Sequence, residues 1–319
     1  MRLRGGRAAA IGVSASLVAS LLFGGLSGVR SVAGATGNTW TTTGALSGSV
    51  WNPATVHLLD GRILILSGEN FAATVFSHEP PPAPEIYDPV AGTWSATSAP
   101  PWAPDTCQGQ FAVLLTDGRV LVGGGFGSTA SVCGVLVYIY DPTAASGGSW
   151  TNVASLPVGL SGISYAGAAR LANGHVMVAM GWEGGPGTSG EAYAYDPTAN
   201  TWTALTFLAS GILEPVTIPL PDGRVFFGSG WYPYGSWTES SGGSFIYDPA
   251  KNSWIQGPAL GWAGTEGVLL PDGRIFLAGG ERLYVSNAGQ QVTYESVVNL
   301  FDPVTLKWSN LPPMHTPRA

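Results

Sequence analysis

The sequence predicts an all-β fold in which five copies of one four-stranded sheet stack around an axis. Three observations carry this reading. Five segments share one pattern: HLLDGRILILSG (57–68), LLTDGRVLVGGG (114–125), RLANGHVMVAMG (170–181), PLPDGRVFFGSG (219–230) and LLPDGRIFLAGG (269–280). Each is followed by a second shared segment: EIYDPVAGTW (85–94), YIYDPTAASGGSW (138–150), AYAYDPTANTW (192–202), FIYDPAKNSW (245–254) and NLFDPVTLKW (299–308). The Asp-Pro pairs recur at spacings of 53, 55, 52 and 54 residues, and no window beyond the N-terminal segment holds helical periodicity. A unit of that length cannot bury both faces of its sheet alone and must stack on neighbours like itself.

In chain order, Arg2, Arg4 and Arg7 precede an apolar run over 8–29, and Ala33-Gly34-Ala35 follows. A charged start, an apolar middle and a small-residue exit describe a secretory signal peptide, expected over 1–35, with a propeller domain over 36–319. Retention of the run as a membrane anchor is the minority alternative. Removal of 1–35 leaves nine basic and twenty acidic residues, a net charge of −11. Four of the nine, Arg62, Arg119, Arg224 and Arg274, fall one per repeat in the first segment. Spread in this way they form no basic patch, which excludes nucleic acid as a partner. They read as solvated turn residues or as partners of nearby turn carboxylates. The expected setting is outside the cell or in its envelope, with no membrane contact after cleavage and a monomeric chain.

Each first segment reads as a hairpin. Asp-Gly or Asn-Gly between aliphatic runs is a two-residue turn signal, since both residues tolerate positive φ. Aligning Asp60, Asp117, Asn173, Asp222 and Asp272 places a leucine two residues earlier and a glycine eight residues later in every copy. The late glycine marks a place where backbone passes close to backbone. In the second segment Pro cannot donate to a ladder, so Asp-Pro ends a third strand and the Trp begins a fourth, outer one.

These motifs, DGR-apolar-GG, then YDP, then NTW, resemble the kelch repeat, and five copies cover nearly all of 55–308. The resemblance implies a kelch-type β-propeller of the galactose-oxidase-like superfamily, with five complete four-stranded blades. Gly37-Asn38-Thr39-Trp40 reads as a partial N-terminal strand, a fourth strand without its first three, and 311–319 as a lead into a new innermost strand. Five blades of a truncated six- or seven-bladed ring are therefore expected. A five-bladed closure with Trp40 on an extra edge strand is the alternative.

Alternating loops put the Asp-Gly and Asp-Pro turns on one face and five long, dissimilar loops on the other. Variable loops on a rigid repeat are where function is usually placed. Trp182, Glu183, Trp231, Tyr232, Tyr234 and Trp237 on those loops are the candidate binding residues, able to stack on sugar rings or dock a protein. Self-packing of these loops is the competing reading. Cys107 and Cys133, the two cysteines, flank one hairpin of an exported chain, so one disulfide between them is expected. The galactose-oxidase type of copper radical oxidase crosslinks a Cys to a Tyr beneath a Trp, and Cys107, Tyr165 and Trp182 resemble those three positions. Copper would be the cofactor in that reading. The Tyr-His pair that the family's copper also needs has no match in WAGTEGV (262–268), and the mature histidines are His57, His78, His175 and His315. The expected function is thus a secreted binding module for carbohydrate or extracellular protein, with no catalytic residue, metal or cofactor. A fragment of a copper radical oxidase is the alternative.

Overall fold

The computed structural model describes residues 42–48, 53–66, 83–102, 109–125, 134–158, 163–181, 190–208, 211–231, 243–286 and 289–318. The signal segment therefore lies outside the described residues. Within them stand five four-stranded antiparallel sheets. Blade one holds β1 (Thr55–His57), β2 (Ile63–Ile65), β3 (Glu85–Asp88) and β4 (Thr93–Ala96). Blade two holds β5 (Phe111–Leu114), β6 (Val120–Gly123), β7 (Val137–Asp141) and β8 (Ser149–Asn152). Blade three holds β9 (Gly167–Arg170), β10 (Val176–Ala179), β11 (Ala192–Asp196) and β12 (Thr201–Ala204). Blade four holds β13 (Val216–Pro219), β14 (Val225–Gly228), β15 (Ser244–Asp248) and β16 (Ser253–Gly257). Blade five holds β17 (Glu266–Leu269), β18 (Ile275–Ala278), β21 (Val298–Asp302) and β22 (Lys307–Leu311). A hairpin of β19 (Glu281–Ser286) and β20 (Gly289–Tyr294) is inserted between its second and third strands. The described residues are all-β and form the five complete four-stranded propeller blades that the repeats predict.

The first turn differs from its expected form. Leu115 and Arg119 face each other, with the Leu115 N–H donating to the Arg119 carbonyl at 2.8 Å, so the loop has three residues. Gly118 sits at φ 88°, as do its four counterparts at 85–89°, whereas no Asp or Asn of these five turns has positive φ. This is the three-residue hairpin with one left-handed glycine. The aspartate is held otherwise: Asp117 Oδ1 accepts the Arg119 N–H at 3.1 Å, and Oδ2 takes Nε at 2.8 Å and a second guanidinium nitrogen at 2.6 Å. The same clamp recurs at Asp60–Arg62, Asp222–Arg224 and Asp272–Arg274. Each turn arginine is thus the partner of its own turn carboxylate.

Those pairs set an acid limit. Burial pushes the Asp117 carboxyl up, but hydrogen bonds from the Arg119 side chain and backbone and its positive charge outweigh that and hold it below 3.8. A depressed folded pKa contributes stability above the unfolded pKa and loses it as pH falls through the folded one. Exposed pairs contribute little each. Tm should therefore be level near neutrality and decline below about pH 4, with a shallower decline in Arg119→Gln; a Tm unresponsive to acid would refute this.

Between blades the core is aromatic and aliphatic. Tyr140, Tyr195, Tyr247 and Phe301, the residues before Asp-Pro, are 0–1 % exposed. Each tryptophan of the second segment is only half-buried and lies tilted on that aromatic, with centroids 4.5–5.1 Å apart in blades two to five. Its indole N–H donates to the preceding blade: Trp150 to Ser98 O (3.1 Å), Trp202 to Ala154 O (2.8 Å), Trp254 to Thr206 O (2.6 Å) and Trp308 to Pro258 O (2.9 Å). The large rings therefore act partly as polar staples, since an indole N–H seeks a partner when its ring is covered.

A second staple is carried by the Asn that stands two residues before the tryptophan in blades three and four. Asn200, at φ 55°, turns its Oδ1 to the Tyr195 hydroxyl (2.9 Å) and to the Ala154 N–H of the preceding blade (2.8 Å). Asn252 does the same for Tyr247 and Thr206. Asn200→Ala leaves a hydroxyl and an amide without their acceptor, and should cost about 2 kcal/mol, read as a Tm lowered by about 5 °C. An unchanged Tm would show that water replaces the side chain.

Candidate functional site

The face opposite the Asp-Gly turns is organised by the residue two places before the innermost strand of each of blades two to five. These are Gly109, Tyr165, Glu214 and Gly264, and all four lie in the left-handed region, at φ 69°, 56°, 51° and 64°. The Tyr165 N–H donates to Gly109 O (2.8 Å) and the Glu214 N–H to Tyr165 O (2.9 Å), linking three successive blades. A left-handed conformation at Tyr and Glu is unfavourable and is imposed by these neighbours. The Tyr165 ring lies so close over Gly109 that a Cβ there would stand 2.7 Å from two ring carbons.

The late glycines Gly181, Gly230 and Gly280 pass close to lead-in backbone in the same region, as the sequence predicts. A Cβ on Gly181 would stand 2.6 Å from Ser164 O, and one on Gly280 would stand 2.7 Å from Ala263 O. Close by, the Thr265 hydroxyl donates to Ser229 Oγ at 2.5 Å, both residues being buried.

Blade five adds polar groups. Glu281 opens β19, is half-buried, and its side chain lies within 3.4–3.8 Å of the space a Gly264 Cβ would take. Burial pushes its carboxyl up. Arg282 lies over the Trp262 ring, 5.7 Å from the centroid, with Nε 3.4 Å from Glu295 Oε1. Tyr294, paired opposite Glu281, is 59 % exposed. Blade five thus brings two carboxylates, a guanidinium and one exposed ring to its β19–β20 hairpin.

Of the residues singled out in the sequence, Tyr165 and Trp231 are described. Trp231 is half-buried and bridges Leu213 through both backbone groups, at 2.8 and 2.9 Å. Trp182, Glu183, Tyr232, Tyr234, Trp237, Cys107 and Cys133 lie outside the described residues, and so does the expected disulfide. Tyr165 is brought against Gly109, which stands two residues after Cys107 in the sequence. The described donors do not fit copper. No three His, Cys, Asp or Glu side chains converge among the described residues. His57 is on an innermost strand, His175 stands 3.6 Å from Asp196 on the turn face, and His315 is exposed near the C-terminus. Sequence reading missed Glu214, Glu281, Arg282 and Trp262; the lead-in position carries Gly, Tyr, Glu and Gly in turn, so no shared residue type marks it.

No family model matches the chain, and no curated protein matches it in sequence. Solved structures do resemble it. A fungal alcohol oxidase of the AA5 family, solved in complex with copper, aligns with TM-score 0.51 at 16 % identity over 83 % of this chain. The alignment covers 66 % of that oxidase, just under two thirds of its length. YjhT aligns with TM-score 0.51 at 20 % identity, over 68 % of each chain. At such identities the likeness speaks for fold, and activity does not follow from it. Repeat, blade topology and both likenesses agree that the chain has a β-propeller fold built from kelch-like repeats.

Proposed function

We propose that this chain is a secreted binding module that holds carbohydrate or an extracellular protein on its variable-loop face. The observation that carries the reading is the contrast between the two faces. On the turn face the four Asp-Gly-Arg clamps satisfy their own charges, and the Asp-Pro aspartates accept N–H groups of their own turns, as Asp88 does from Val90 (2.8 Å) and Ala91 (3.0 Å). The other face gathers Tyr165, Glu214, Glu281, Trp262 and Tyr294 around the lead-in residues. Trp182, Glu183, Trp231, Tyr232, Tyr234 and Trp237 complete it in sequence. A broad glycan array and capture of envelope proteins by the purified chain test the reading. Retention of a defined glycan or protein, weakened at least tenfold by Tyr294→Ala, is expected. Silence in both assays, together with turnover of a substrate, would reject it.

A second reading is favoured by one observation, the Tyr165 ring lying on Gly109, two residues after Cys107 in the sequence. It is an oxidase-like chain carrying a Cys107–Tyr165 thioether. Peptide mapping separates the readings, because a Cys107–Cys133 disulfide splits on reduction and a thioether does not. The disulfide is the expected result, and a reduction-resistant Cys107–Tyr165 peptide would transfer the proposal to the oxidase.

A further inference from the structure

We infer that Arg170, at the turn-face end of β9, is the centre of a binding site for a small oxyanion, a carboxylate or a phosphate. The site lies at the opposite end of the innermost strands from the variable loops and stands apart from the binding role proposed for that face. Its starting point is an exception in the repeat. Blades one, two, four and five carry Asp and Arg in the first turn, whereas blade three carries Asn173 and His175. Blade three is also the one of the five with an arginine on its innermost strand, in RLANGH (170–175). The repeat that lacks the turn carboxylate thus carries an extra guanidinium three residues before that position.

The guanidinium is anchored with its binding edge unused. Leu115 bonds across the turn to Arg119, so by alternation the Leu114 carbonyl points away from β6, off the free edge of blade two. Arg170 Nη1 donates to that carbonyl at 3.3 Å. Its Nε and Nη2, the parallel donors that match two anion oxygens, have no acceptor among the described residues. In Arg62, Arg119, Arg224 and Arg274 that same edge holds an aspartate, with Nε at 2.8 Å and Nη2 at 2.6–2.8 Å. Asn173 offers no substitute, because its Oδ1 accepts the His175 N–H at 3.1 Å and an amide carries no charge. The neighbouring blades offer none either. The innermost strands end in His57, Leu114, Arg170, Pro219 and Leu269, with no acid among them. Of the half-buried arginines among the described residues, Arg170 alone lacks a carboxylate partner. Burial pushes its guanidinium down, whereas hydrogen bonds to the turn aspartates push Arg62, Arg119 and Arg274 up. A half-buried charge without a counter-ion is costly, and an oxyanion on the Nε–Nη2 edge removes that cost.

The test titrates the purified chain with sodium acetate and with inorganic phosphate, against sodium chloride at matched ionic strength. Tm and the Arg170 Nε–H resonance are followed together. Either anion is expected to raise Tm saturably by more than about 3 °C and to shift the Arg170 resonance, leaving that of Arg119 unmoved. Arg170→Gln should abolish the rise, and Arg119→Gln should retain it. Arg170→Lys keeps the charge without the paired donors and should weaken binding about tenfold. A lower midpoint for phosphate assigns the site to phosphoryl groups and a lower midpoint for acetate to carboxylates, and either outcome supports the site. An Arg170 resonance that neither anion moves would overturn the inference, whatever Tm does. So would a Tm rise of equal size in sodium chloride or in Arg170→Gln. Should Arg170→Gln fail to fold, the resonance in the unsubstituted chain decides alone.

Discussion

Phe226→Ala is expected to destabilise the protein by about 4 kcal/mol, the largest loss among single side-chain truncations considered. Phe226 is fully buried on β14 and faces blade five, with its ring 5.1 Å from Phe301 and 6.5 Å from Trp308. Ile246, Ile275 and Leu277 complete its cluster. Those neighbours sit on two different sheets whose strands are fixed by ladders, so they cannot close around the void, and the cavity cost adds to the lost burial. Phe276→Ala removes the same ring from a partly exposed position on blade five and should cost less than half as much in the chain described here. Urea unfolding followed by tryptophan fluorescence measures both. A Phe226→Ala loss below about 1 kcal/mol would mean that blades four and five are not held by this cluster.

Gly181→Ala should prevent folding or cost more than about 3 kcal/mol, from a single added methyl group. Gly181 has φ 110°, and the new Cβ would stand 2.6 Å from Ser164 O, 3.0 Å from Ile163 Cγ1 and 3.2 Å from Ala166 Cα. Two of the three obstacles are backbone of the same blade's lead-in, and the Gly181 N–H is tied to Ile212 O of the next blade at 3.2 Å, so neither side can retreat. Gly61→Ala is the control. Its φ is 89°, but nothing lies within 4 Å of the added Cβ. Only the left-handed conformation is then penalised, by about 1–2 kcal/mol. Soluble yield and Tm of the two variants, side by side, decide the matter; equal behaviour would show that strain at φ, and not backbone contact, fixes the late glycine.

The sequence by itself determined the blade. Period-two aliphatic runs, Asp-Gly or Asn-Gly, the late glycine, Asp-Pro and Trp are local signals, each tied to a backbone conformation or a missing donor, and each recurs five times in register. They yielded the strand count, the sheet order and the two faces. They misjudged the first turn, because Asp-Gly suits both a two-residue and a three-residue hairpin, and the choice fell to the aspartate's bonds with the backbone and guanidinium two residues on. They placed each tryptophan on an outer fourth strand, and there the structure leaves the indoles half-covered. Of the candidate site, Tyr165 was legible through its place before a hairpin, while Glu214, Glu281 and Arg282 were not. Only the tertiary structure decided the joints between blades. The Asn200 and Asn252 staples, the indole bonds, the left-handed residues at 109, 165, 214 and 264, and the Arg170 bond to Leu114 all join residues from different repeats or from the two ends of one. The reason is physical: a strand is specified by its neighbours in sequence, whereas a joint depends on which carbonyls, amides and rings stacking brings within 3 Å or so of one another.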